Sequence, residues 1–164
     1  MLFDAAIVVI SIDSMYLFGN NQDMIKFEKI SPEILSRIPL AAEVLMRSSR
    51  VVFAYLFGGL SAGRVTSLSD VDIAVYVNDV NDLADCKLAL FDSITAALGT
   101  AEVDLVILNT ASVSIAGRIL QNKQLLVDKE PFKRHEYESL ALREFFDFRI
   151  QEEAFFARRY GIGR

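Results

Sequence analysis

Residues 50 to 77 hold two apolar runs divided by a glycine- and serine-rich loop. The first run is Arg50-Val-Val-Phe-Ala-Tyr-Leu-Phe57. The loop is Gly58-Gly-Leu-Ser-Ala-Gly-Arg-Val-Thr-Ser-Leu-Ser69, and the second run is Asp70-Val-Asp-Ile-Ala-Val-Tyr-Val77. Runs of this length, rich in β-branched and aromatic residues, read as strands. Strand side chains alternate between faces, so Asp70 and Asp72 point the same way. Aspartate is disfavoured in strands, yet here it recurs inside an apolar run. Two carboxylates on one face, beside a glycine turn, suit a hard cation holding a polyphosphate. The plainer alternative is a surface strand carrying two solvated aspartates.

Helical and strand-like patterns alternate around this pair. Ser31-Pro32-Glu33 marks a helix start, with a capping serine, a proline in the first turn and an acid near the positive end. That helix runs to about Arg47, with a bend expected at Pro39. Asn81-Asp82 opens a helix ending near Gly99, with Leu83, Leu90, Ile94 and Leu98 at helical spacing. Glu102-Val-Asp-Leu-Val-Ile-Leu108 is a third strand, interrupted by Asp104. A short helix at about 111–121, a strand near 124–127 and a long helix from Pro131 to about Tyr160 complete the pattern. The expected fold class is α/β (α+β): a mixed sheet flanked by helices, with a long C-terminal helix.

Residues 1–23 read as an N-terminal extension and 24–164 as a single domain. Met1 to Phe18 is mostly apolar, but Asp4, Ser11, Asp13 and Ser14 interrupt it. A membrane-spanning helix needs about 20 apolar residues, and the basic start of a secretory signal is absent, so no membrane association is expected. The formal net charge of −5 comes without a basic stripe, which argues against direct nucleic-acid binding. The single cysteine, Cys86, cannot form an internal disulfide; it fits a cytoplasmic protein and reads as a small core residue. The only histidine, His135, falls near a helix start and reads as a surface residue, so a Ser-His-Asp triad has little support.

Nucleotidyl transfer needs little covalent work from a protein. It needs metal ions that neutralise phosphate charge and align the attacking and leaving oxygens. Asp70 and Asp72 supply two ligands, and Asp104 is the natural third if its strand pairs beside theirs. The Gly58-Gly59 turn lets backbone N–H groups approach a triphosphate. Ser61, Thr66, Ser67 and Ser69 are further donors, and Arg64 is a candidate phosphate contact.

These residues together resemble the signature of the DNA polymerase β superfamily of nucleotidyltransferases. That signature is Gly-Ser, ten residues, then Asp-x-Asp. Leu56-Phe57-Gly58, the internal Gly63 and Ser69-Asp70-Val71-Asp72 match it, with Gly59 where serine is usual. Val103-Asp104-Leu105-Val106 resembles the strand of the third aspartate. Arg118-Ile-Leu-Gln-Asn-Lys-Gln-Leu-Leu-Val127 and Leu142-Arg-Glu-Phe-Phe-Asp-Phe-Arg149 resemble the tail of the small MNT type. The resemblance covers about residues 31 to 160. It implies Mg²⁺, as a pair of ions, held by Asp70, Asp72 and Asp104, with ATP as the nucleoside triphosphate. It also implies a partner, since small MNT proteins serve as antitoxins that transfer AMP to a tyrosine of a HEPN-type ribonuclease toxin. Glycine at 59 keeps the N–H and loses the hydroxyl, a loss of about 1.5–3 kcal/mol for a bond to a charged group.

Two other readings stand beside this one. The chain could bind and block a toxin without catalysis, or transfer a nucleotidyl group to a small molecule, although its short length leaves little from which to build an acceptor pocket. The last helix is rich in aromatics, Phe145, Phe146, Phe148, Phe155, Phe156 and Tyr160. Most are expected to pack on the sheet; otherwise one stripe docks a partner helix or a second copy in a homo-oligomer.

Overall fold

A computed structural model of the chain describes residues 34–61 and 70–161. The expected helix start at Ser31, the boundary near residue 23, and the loop residues Gly63, Arg64, Thr66, Ser67 and Ser69 lie outside these residues.

The elements follow the sequence pattern closely. In order they are α1 (Ile34–Arg47), β1 (Val51–Phe57), α2 (Gly58–Ser61), β2 (Val71–Val77), α3 (Leu83–Leu98), β3 (Val103–Ile107), α4 (Val113–Gln121), β4 (Gln124–Asp128) and α5 (Pro131–Tyr160). A single 3₁₀ turn, Leu108–Thr110, follows β3. Pro39 lies inside α1 without ending it.

The four strands form one mixed sheet in the order β3-β2-β1-β4. β1 pairs antiparallel with both β2 and β4, while β2 and β3 run parallel, joined through α3. A parallel neighbour needs a crossover of this kind, whereas antiparallel strands do not. β1 is buried along nearly its whole length because helices cover both faces of the sheet. On one face α1 and α3 pack through Ile38, Leu45, Leu90 and Ile94 against Ile73, Val75 and Leu105. On the other, α4 and the first half of α5 pack through Ala116, Ile119 and Ala141 against Phe53, Tyr55 and Ala74. Cys86 is buried in the first of these clusters, as expected.

Asn109 holds the register of the parallel pair. Its Oδ1 accepts from Val77 N and its Nδ2 donates to Val77 O, both at 2.9 Å. A side-chain amide so placed continues the ladder beyond the last paired residue.

α5 is fastened by Glu138. Its Oε1 accepts from Tyr55 Oη at 2.6 Å and from Arg134 Nη1 at 3.0 Å, and lies 2.7 Å from Lys123 Nζ. Arg134 in turn donates from Nε to Asp128 at 2.9 Å, tying the helix to β4. Burial alone would raise the carboxyl pKa of Glu138. The hydrogen bonds from Lys123, Tyr55 and Arg134 and the Lys123 charge outweigh it, and the net direction is down. A depressed carboxyl pKa contributes stability above the ordinary glutamate range, and that stability is lost as pH falls through the depressed value. Glu138→Gln is expected to cost about 2 kcal/mol at neutral pH and to flatten the acid limb of stability. Urea midpoints measured from neutral pH into acid check both.

The aromatic expectation for the last helix needs correction. Phe145 alone of the six is buried, while Phe146, Phe148, Phe155, Phe156 and Tyr160 are exposed. A helix of 30 residues is about 45 Å long, and strands of five to seven residues span roughly 17–23 Å. The second half of α5 therefore runs past the sheet it would have to cover. Arg149 pairs with Glu153 there at 2.9 Å, and the His135 side chain is 65% exposed, as expected of a surface residue. Among the described residues no helix is long and apolar enough to cross a membrane.

Candidate active site

The backbone places the candidate carboxylates at the end of the sheet where β1 stops and β2 and β3 begin. The register pairs Phe57, the last residue of β1, with Asp72, and pairs Asp72 with Asp104 across the parallel strands. Residues paired across adjacent strands project to the same face, and neighbouring strands lie about 5 Å apart. Asp72 shares its side of β2 with Ala74 and Tyr76, which pack in the cluster under α4 and α5. Asp72 and Asp104 thus stand side by side on adjacent strands, with Gly58, one residue past the end of β1, against the Asp72 carboxylate. Asp70 precedes β2 by one residue and is half-buried.

Gly58 is the point where the backbone requires glycine. Its φ is +71°, and a Cβ there would collide with Asp72 Oδ2 and lie 2.8 Å from the Asp72 Cγ. The Asp72 carboxylate rests in the space that a side chain at 58 would fill. Gly59, within α2, does not have positive φ. Ser61 Oγ lies 2.9 Å from Gly58 O and 2.8 Å from Asn122 O. That hydroxyl fastens the glycine turn to the end of α4 across 61 residues of sequence.

The donor set suits a hard divalent cation: carboxylate oxygens, two of them register-paired, on a glycine cradle. The backbone brings Asp72 and Asp104 together, as expected if the strands paired. Among the described residues, no group of three His, Cys, Asp or Glu side chains is gathered closely enough to hold a metal ion. The fit is therefore one of backbone register and ligand type. Arg64 and Ser69 lie outside the described residues.

Two clefts flank the carboxylates. One, of about 380 Å³, is lined by Phe57, Gly58, Gly59, Ile115, Arg118, Ile119 and Asn122. It runs between the glycine turn and α4. The other, of about 370 Å³, follows β3 on its open side and is lined by Asp104 to Ile107, with Lys87 from α3 and Thr110. Phe57 and Arg118 were not picked out as site residues by sequence reasoning. Nothing in the spacing of α4 foretells that it lies over a turn some 55 residues earlier.

A family model described as polymerase beta, nucleotidyltransferase matches residues 40–132, more than half of the chain. The chain belongs to this nucleotidyltransferase family. No curated protein sequence matches it. Solved structures do. A chain of a MntA–HpeT toxin–antitoxin mutant with two Asp-to-Glu substitutions, two residues apart, superposes with TM-score 0.58 at 22% identity, covering 70% of this chain and 91% of that one. A chain of the tri-AMPylated Shewanella oneidensis HEPN toxin in complex with its MNT antitoxin gives 0.58 at 20% identity, covering 76% and 97%. A toxin–antitoxin structure with AMP-PNP gives 0.55 at 24% identity, covering 73% and 93%. At these identities the nucleotidyltransferase fold is what is shared.

Proposed function

We propose that this nucleotidyltransferase is the antitoxin of a toxin–antitoxin pair and transfers AMP from ATP to a tyrosine of a HEPN-type ribonuclease toxin. The observation that carries the reading is the register pairing of Asp72 with Asp104, with Gly58 against the Asp72 carboxylate, one cleft lined by Gly58 and another by Asp104. The neighbours support the partner, since they are toxin–antitoxin complexes, one with an AMPylated toxin and one with AMP-PNP.

The chain's residues divide the work. Asp70, Asp72 and Asp104 would hold two Mg²⁺ ions. When bound, these neutralise phosphate charge and align the reacting oxygens. The backbone of Gly58 and Gly59, with Arg64 and Ser69, binds the triphosphate, and Ser61 keeps the turn in place. The tyrosine oxygen attacks the α-phosphorus, forming one O–P bond. The bond from that phosphorus to the bridging oxygen breaks, and pyrophosphate leaves. Asp104, exposed on the open side of β3, receives the tyrosine proton. Retention of label from [α-³²P]ATP but not [γ-³²P]ATP on the toxin tests the reaction, and label from neither with wild-type protein would contradict it.

A second reading is an antitoxin that blocks its toxin by binding alone; the exposed aromatic half of α5 would serve docking in both readings. Phe155→Ala combined with Phe156→Ala is expected to weaken the complex by about 30-fold, the scale of a 2 kcal/mol hot spot. Both rings are exposed, so the melting temperature of the free protein should hardly move. Titration calorimetry of the purified pair, with a thermal melt of the free variant, checks both. A single buried cysteine accords with a cytoplasmic protein.

A further inference from the structure

Arg118 projects from the last turn of α4 into the cleft that holds Gly58 and Gly59. It is exposed and has no hydrogen bond or ion pair among the described residues. Arg37, Arg50 and Arg134 are engaged, with Leu98 O, Asn81 O and Asp128; Arg118 shares its open state with Arg143 and Arg158 of α5 but differs from them in lining the cleft beside the glycine turn. One wall of the cleft is therefore a glycine turn with no side chain to offer, and the other carries a guanidinium with no partner among the described residues. Phe57, Ile115 and Ile119 make the rest of the lining largely apolar. The Ser61 contacts to Gly58 O and Asn122 O keep the two walls at a fixed separation.

We infer that Arg118 is a phosphate ligand of the bound nucleoside triphosphate and replaces the hydroxyl that Gly59 lacks. The inference rests on the nucleotide reading of the site and adds a residue from a different element. A guanidinium presents a planar fork of N–H donors that matches phosphate oxygens two at a time, and a charged donor binds phosphate more strongly than a neutral hydroxyl. The apolar lining suits the flat face of a nucleobase beside it. Gly59 lacks positive φ, so its backbone tolerates serine and the trade can be run in reverse.

An arginine in the last turn of a helix also interacts favourably with the helix dipole. That role alone would lower the melting temperature and leave nucleotide affinity untouched. The deciding experiment is a double-mutant cycle on affinity for Mg²⁺ and AMP-PNP, by calorimetry, with wild type, Arg118→Ala, Gly59→Ser and the double variant. Arg118→Ala is expected to raise Kd by about 10-fold or more, the scale of a lost charge-assisted bond. Gly59→Ser is expected to improve affinity more in the Arg118→Ala background than in the wild type, recovering most of the loss there. Equal effects of Gly59→Ser in both backgrounds, or an unchanged Kd for Arg118→Ala, would overturn the inference. No binding by the wild type would overturn the nucleotide reading with it. The expected cycle without AMP transfer to the toxin would leave the inference standing and remove only the proposed acceptor.

Discussion

Asp72→Asn is expected to lower AMP transfer to the partner by about 10³-fold or more, with no loss of thermal stability. The magnitude follows from removing a carboxylate that positions charge at the reacting phosphate, a contribution of several kcal/mol at about 1.4 kcal/mol for each tenfold. The stability follows from the register. Asp72 and Asp104 are paired across adjacent strands, and like charges placed opposite one another are destabilising. Removing one charge with a side chain of the same shape relieves that repulsion. A residue that costs stability and is needed for activity marks a functional site, whereas a structural aspartate would lose stability on substitution. Single-turnover transfer rates and a thermal melt on the same preparation check both halves.

Gly58→Ala is expected to lower transfer by about 10²-fold with the fold retained. Alanine at a φ of +71° costs roughly 1–2 kcal/mol. The larger consequence is steric, because the added Cβ would occupy the place of the Asp72 carboxylate. Either the carboxylate swings away or the turn opens, and a displacement of about 1 Å at a reacting centre can cost 10²-fold. Circular dichroism should stay unchanged while kcat falls. Asp72→Asn in the Gly58→Ala background should add little, since both changes disable the same group.

The strands, the helices and the Asp-x-Asp pair were legible because aspartate inside an apolar run contradicts the pattern around it. Asp104 stood out for the same reason. Whether it lay beside Asp72 was not legible, because parallel pairing depends on how α3 crosses over and on the Asn109 clasp at the end of β2. Arg118 was hidden for a related reason: its importance comes from α4 lying over the glycine turn, a contact remote in sequence. The Tyr55, Lys123, Arg134 and Glu138 cluster was not legible in sequence, because it forms only where β1, the turn before β4 and α5 meet. The aromatics of the last helix misled because composition registers hydrophobicity and not reach. Phe145 falls where α5 still has something to pack on, and Phe155 and Phe156 fall beyond it.

Intact-mass spectrometry of the toxin partner, co-expressed with wild-type protein and separately with Asp72→Asn, tests the central claim most directly. The account predicts a toxin heavier by one or more AMP groups with the wild type, located on tyrosine, and an unmodified toxin with the variant. An unmodified toxin in tight complex with the wild-type protein would contradict it.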